Sequence, residues 1–275
     1  MTSGAPERGT SSGPFTDEAE AALVQALTEN LTRPVGIDVW TRRHSELVRP
    51  DRDACDHCDD QMALIRQFVR VSPLLTVTTY DLDRHAARAA EVGVDLAPAT
   101  IVRCAGRSVQ FVGLADGTLL RAFLDVMTFL SAGRSPLSDE SREVLTALAA
   151  PIDLELLVAP YDQLSGYQMR LVGALAVESR MVRVKIIDAT EYPMFAALRS
   201  VTEVPVLTIG GRRFAGIWDE PSLVEQVRRI ATGNDEVVQR GQPMTAPFVT
   251  EAELRASQPP EPSQTASSLY IPGRD

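Results

Sequence analysis

A chain of 275 residues with 44% apolar and 23% charged side chains has the composition of a globular protein of about two domains, which excludes wholesale disorder. Its 27 basic and 37 acidic residues leave a net charge of -10, which argues against a nucleic acid or an anionic membrane surface as partner. Lys185 is the only lysine, so Schiff-base chemistry has one candidate, and it sits in an apolar run that reads as a strand.

In chain order, residues 1–15 are rich in Gly, Ser, Thr and Pro and read as a disordered arm. A helix is predicted over 17–31, a strand over 35–40 and a long loop over 41–54. Then come a helix over 56–70, a strand over 74–81, a helix over 83–92, strands over 99–104 and 108–113, and a helix over 116–132. The second half reads as helix 138–149, strand 152–159, helix 163–178, strand 182–188, helix 190–200, strands 206–211 and 213–217, and helix 220–232. The periodic pattern ends there, and 233–275, with its proline-rich QPPEPSQTASS stretch, reads as a disordered tail. Alternating strands and helices predict an α/β protein with at least partly parallel sheets. No run of about 18 apolar residues predicts a membrane span, and no secretory signal is visible, so a cytoplasmic protein is expected.

A repeat sets the expected architecture. YDLDRHAARAAEVGVDLAPATIV (80–102) lies over IDATEYPMFAALRSVTEVPVLTI (187–209) at a shift of 107 residues. The shift pairs Asp81 with Asp188 and Pro98 with Pro205. It extends without a gap to Val77 on Val184, Leu64 on Leu171, and Gln61-Met62 on Gln168-Met169. Two copies of one unit are expected, over 16–134 and 135–232.

The most specific chemical signal is Cys55-Asp56-His57-Cys58. A lone C-x-x-C is compatible with zinc, with redox chemistry or with coincidence. Zinc needs four ligands, and Cys104, His44 and His85 form no second motif around it. The redox reading has local support, because the pair opens a predicted helix. Unpaired N–H groups and the positive end of the helix dipole there favour the thiolate, the attacking species. A second cysteine one turn along can then resolve a mixed disulfide. Ala97-Pro98 precedes a strand rich in β-branched residues, where a proline with no N–H to donate suggests a cis turn facing the sulfurs.

Together, CDHCDDQM, YDLD, VGVDLAPATIV and FVGLADG in the first unit, with APYDQLSGYQM, IDATEYPMFAAL and VTEVPVLTI in the second, resemble the glutaredoxin-like protein disulfide oxidoreductases. That family carries two thioredoxin-like domains in one chain, each a central mixed sheet flanked by helices. The resemblance implies cytosolic dithiol–disulfide exchange on protein thiols, with electrons from a pyridine-nucleotide-dependent reductase and no bound cofactor or metal. It implies Cys55 as nucleophile, Cys58 as resolving thiol, Pro98 as cis-proline and Ala97 as a backbone contact for a substrate strand. His57 would stabilise the attacking thiolate, or be a solvent-exposed helix residue.

The chain departs from that family in its second unit. Asp162 and Ser165 stand where Cys55 and Cys58 stand in the first, so a second redox pair is missing. Val204 and Pro205 remain, and could hold an extended peptide or belong to a copy kept only for packing. The 14-residue loop Thr41–Ala54 is matched in the second unit by Pro160 and Tyr161 alone, and reads as a cover for the sulfurs or a plain insertion. An oxidoreductase is one reading. A redox-inactive thioredoxin-like adaptor, docking a partner through its second domain or its tail, is the other. The last apolar cluster, Leu269, Tyr270 and Ile271, is similar to the cargo-loading peptides of encapsulin shells, which implies a docking peptide at 267–275.

Overall fold

The computed structural model describes residues 22, 30–42 and 55–257. Helix 17–31 therefore lies almost wholly outside the described residues, as do the loop residues 43–54 and the docking peptide expected at 267–275.

Strand β1 (Val35–Thr41) sends Val35, Ile37 and Val39 into the main core, and Trp40 into a smaller cluster on the opposite face. Helix α1 (Cys58–Val71) buries Cys58, Gln61, Met62, Ile65 and Phe68, a spacing of three and four residues that makes one stripe. The unit continues with β2 (Leu75–Asp81), α2 (Ala86–Val92), β3 (Ala99–Cys104), β4 (Arg107–Val112) and α3 (Gly117–Ala132). After α4 (Asp139–Thr146) the order recurs as β5 (Ile152–Val158), α5 (Gln163–Glu178), β6 (Val182–Asp188), a 3-10 turn (Ala189–Glu191) and α6 (Pro193–Leu198). It closes with β7 (Glu203–Val204), β8 (Val206–Ile209), β9 (Arg212–Ala215) and α7 (Glu220–Ala231). Strands β2 and β6 are displaced by the 107 residues of the repeat.

The two units share a sheet of eight strands in the order β2-β1-β3-β4-β6-β5-β8-β9. In each unit the first two strands are parallel and the hairpin is antiparallel, as the mixed α/β reading expects. The join is β4 against β6, parallel, with Val109 opposite Val184 and Val112 opposite Ile187. Helices α3 and α5 close the seam. A Cβ at Gly173 would stand 2.4 Å from Val126, and one at Gly166 would stand 2.9 Å from the Thr118 carbonyl, so these two glycines let the helices touch. Helix α5 is consequently buried nearly all round.

The expected tail begins too early. Beyond 232, strand β10 (Ala246–Pro247) pairs antiparallel with β7, and helix α8 (Glu251–Ser257) follows. Main-chain pairing, caps and the scattered apolar contacts of Val238, Ala246 and Phe248 hold this segment, and these leave no hydrophobic period in the sequence to read.

Candidate active site

Cys55 and Cys58 form a disulfide with their Cα atoms 5.5 Å apart. The helix starts two residues later than the sequence suggests, because Asp56 and His57 form a turn and His57 occupies the N-cap position. Cys58, the first helical residue, is only 5% exposed, while Cys55 is partly exposed. Cys55 is therefore the more accessible residue of the pair. The Arg42 backbone N–H donates to the Cys58 sulfur at 3.2 Å.

Both peptide bonds singled out by the repeat, Ala97-Pro98 and Val204-Pro205, are cis. Ala97 is buried in the cluster that contains Cys58 and Trp40, with Cys55 packed against it. The Pro98 carbonyl accepts from the Gly113 N–H at 2.9 Å, and the Tyr192 hydroxyl of the second unit lies 3.4 Å from it. Gln61 anchors α1: its amide donates to the Thr100 hydroxyl, and its carbonyl accepts from the Ala115 N–H. The side-chain carbonyl of its repeat partner Gln168 accepts from the Trp218 backbone N–H at 2.8 Å.

His57 is not a free surface residue. Its Nε2 lies 3.0 Å from both carboxylate oxygens of Glu251, and its Nδ1 lies 3.3 Å from Asp60. Burial disfavours the imidazolium. The hydrogen bond to Glu251, with the charges of Glu191, Glu251 and Asp60, outweighs that and holds His57 above its ordinary value. Glu251 is also desolvated, but His57 and Arg255 hold it below the usual carboxylate range.

A second acidic pair lies close by. Burial pushes Asp188 up to about 7, although the Thr190 N–H and hydroxyl both donate to it. Burial and the neighbouring Asp188 push Glu191 up to about 8, while it accepts the Leu114 N–H at 2.5 Å. Burial also raises Asp116. Among the described residues, no group of three or more His, Cys, Asp and Glu side chains could hold a metal ion.

In the second unit, Asp162 and Ser165 have become a helix cap. The Asp162 carboxylate accepts from the N–H groups of Leu164 and Ser165 and from the Ser165 hydroxyl. That hydroxyl in turn accepts from the Ala159 N–H. Val204 and Pro205 are buried, and Val204 pairs with Ala246 of β10. Cys104 is a free cysteine in the main core. Lys185 is ion-paired with Asp95.

Reasoning from the sequence missed Glu251, Tyr161, Tyr192 and the Asp188–Glu191 pair. For Glu251 a signal was present: Thr250-Glu-Ala-Glu253 is a capping box. In the structure, Thr250 N–H donates to Glu253 while Glu253 N–H donates to the Thr250 hydroxyl. The other residues carry no local pattern.

No family model and no curated protein matches this sequence. Among solved structures, a protein disulfide oxidoreductase from Aeropyrum pernix is similar, with a TM-score of 0.71 and 23% identity over 82% of this chain and 97% of that one. The NTD_N/C domain of alkylhydroperoxide reductase AhpF from Enterococcus faecalis is similar with a TM-score of 0.66 and 15% identity, over 78% and 99%. Sso1120 from Sulfolobus solfataricus follows with a TM-score of 0.51 and 15% identity, over 70% and 96%. At such identities the likeness is one of fold: two tandem thioredoxin-like units in one chain. Nothing in these structures supports an encapsulin-like shell as partner. No helix among the described residues is long and apolar enough to cross a membrane.

Proposed function

We propose that this protein is a thiol–disulfide oxidoreductase acting on protein thiols from its first unit. The observation that carries the reading is a disulfide at the start of α1 with one cysteine partly exposed and the other buried. In the reduced state the Cys55 thiolate attacks a client disulfide, and one client sulfur leaves as a thiolate. Cys58 then attacks the Cys55 sulfur, and the second client thiolate departs. The client gains two electrons and the Cys55–Cys58 bond re-forms. The Arg42 N–H favours negative charge on Cys58 for that second attack. His57, two residues from the nucleophile, supports the Cys55 thiolate, and Ala97 with Pro98 offers backbone to the client strand. Electrons return from a pyridine-nucleotide-dependent reductase, in a cytoplasmic setting that keeps Cys104 reduced.

Insulin reduction with dithiothreitol tests this. The wild-type chain should accelerate turbidity, and Cys55→Ser should fall to the dithiothreitol background. Equal rates for the two would refute the reading.

A further inference from the structure

The proline edge of the second unit already holds a strand. Ala246 pairs with Val204, the residue before cis-Pro205, and Pro247 lies opposite Glu203. The Phe248 N–H donates to the Thr202 carbonyl at 3.1 Å, and the Ile217 N–H donates to the Met244 carbonyl at 3.2 Å. The Tyr161 hydroxyl donates to the Pro247 carbonyl and accepts from the Val249 N–H, both at 2.9 Å. The Ala246 and Phe248 side chains pack on the cluster that contains Val204 and Tyr192. Gly216 makes room, since a Cβ there would stand 2.7 Å from Pro243 and 2.9 Å from the Met244 carbonyl.

Residues 243–249 thus form an extended peptide bound chiefly through main-chain groups. Immediately after it, the capping box starts α8, and the first residue of that helix is Glu251, on His57. One short segment therefore spans the second unit's peptide edge and the first unit's redox helix.

We propose that residues 243–251 are the resting ligand of a peptide-binding edge on the second unit, and that an extended client strand taking this edge at Val204 withdraws Glu251 from His57. The proposal rests on the oxidoreductase reading for its purpose and not for its geometry. Main-chain pairing does not depend on sequence, so a client strand of other composition makes the same bonds. A free strand must compete with a tether whose effective concentration is of millimolar order. A client already joined to Cys55 is tethered too, which raises its own effective concentration in that competition. Occupancy of the inactive unit then changes the charge beside the active disulfide.

The test uses the oxidised full-length protein and needs no thiol chemistry, so it fails or succeeds independently of the insulin assay. Its histidines, His44, His57 and His85, are titrated by NMR, with His57 assigned from His57→Gln. Four carboxylates bear on His57: Glu251, Asp60 and Glu191 raise it, and Asp116 is coupled to its charge. Glu251→Gln should lower the His57 midpoint by about 1. Tyr161→Phe and Phe248→Ala, neither of which touches His57, should lower it in the same direction. A synthetic peptide of residues 242–250, which lacks Glu251, should carry the wild-type midpoint toward the Glu251→Gln value at about 5 mM.

A Glu251→Gln midpoint equal to wild type overturns the proposal. So do a wild-type midpoint in both strand variants and a midpoint that the peptide does not move. If Phe248→Ala fails to fold, amide exchange of the wild type decides: Phe248 and Val249 should exchange at least about tenfold slower than an unstructured chain. Unslowed exchange at both overturns the proposal.

Discussion

Asp188 and Glu191 show what a single position can do when burial sets its charge. Both sit at the joint of the two units, beside Gly113, where an added Cβ would lie 2.9 Å from Asp188 and 3.1 Å from Glu191. Two carboxyls in one buried site do not both ionise, and the pair retains a proton near neutrality. Their folded-state values, about 7 and about 8, lie above the ordinary 3.8 and 4.5. The folded chain therefore binds more protons than the unfolded one across that interval. The associated stability is fully present below about pH 4 and is lost as the pH rises toward 8. Glu191→Gln keeps the acceptor for the Leu114 N–H and removes one of the two titrating carboxyls, leaving Asp188 raised by its own burial. Scanning calorimetry should find Tm falling from pH 5 to pH 8 in the wild type, and falling distinctly less in the variant. Equal falls would refute the assignment of the proton to this pair.

At the scale of elements, the second unit shows what stands in the place of the cysteine pair. Asp162 accepts two backbone N–H groups at the start of α5, a cap of the kind whose loss costs about 1 kcal/mol. Asp162→Ala should lower stability by about that amount in urea, while insulin reduction stays at the wild-type rate. A large loss of reduction with stability unchanged would show that the second unit takes part in the chemistry. The same elements show how far the sequence was legible. The 107-residue shift placed β2 on β6, α1 on α5, and one cis-proline on the other, because these features depend on local side-chain period and on backbone chemistry that recurs with the residues. Asp162 and Ser165 were visible as a lost pair. Their role as a cap depended on which N–H groups stood free at α5. The strap at 243–251 was missed because main-chain pairing leaves no hydrophobic period, although its capping box was readable. Glu251 meets His57 across 194 residues, a contact that no local pattern encodes.

For the whole molecule, the seam decides whether two repeats make two domains or one cooperative body. Strand β4 would be an open edge without β6, and α3 would expose Val126, which packs against Gly173. The main core runs through both units, from Val35 and Phe68 to Leu223 and Val227. Chains of two domains commonly unfold in separate steps, but a shared sheet and shared helix packing couple the halves here. The two tryptophans report on the halves separately. Trp40 is buried in β1 and stacks on Tyr80, whereas Trp218 is buried before α7 against Phe214 and Arg240. Trp218→Phe leaves fluorescence from the first unit only, and Trp40→Phe leaves it from the second. In urea the fluorescence transition of each variant should coincide with its own far-UV circular dichroism transition. In a Gly173→Leu variant, whose side chain would collide with Val126, overpacking should cost about 1–3 kcal/mol or more and move both signals together. A variant whose tryptophan melts apart from its circular dichroism would show that the units unfold separately, and that the continuous sheet does not bind them into one.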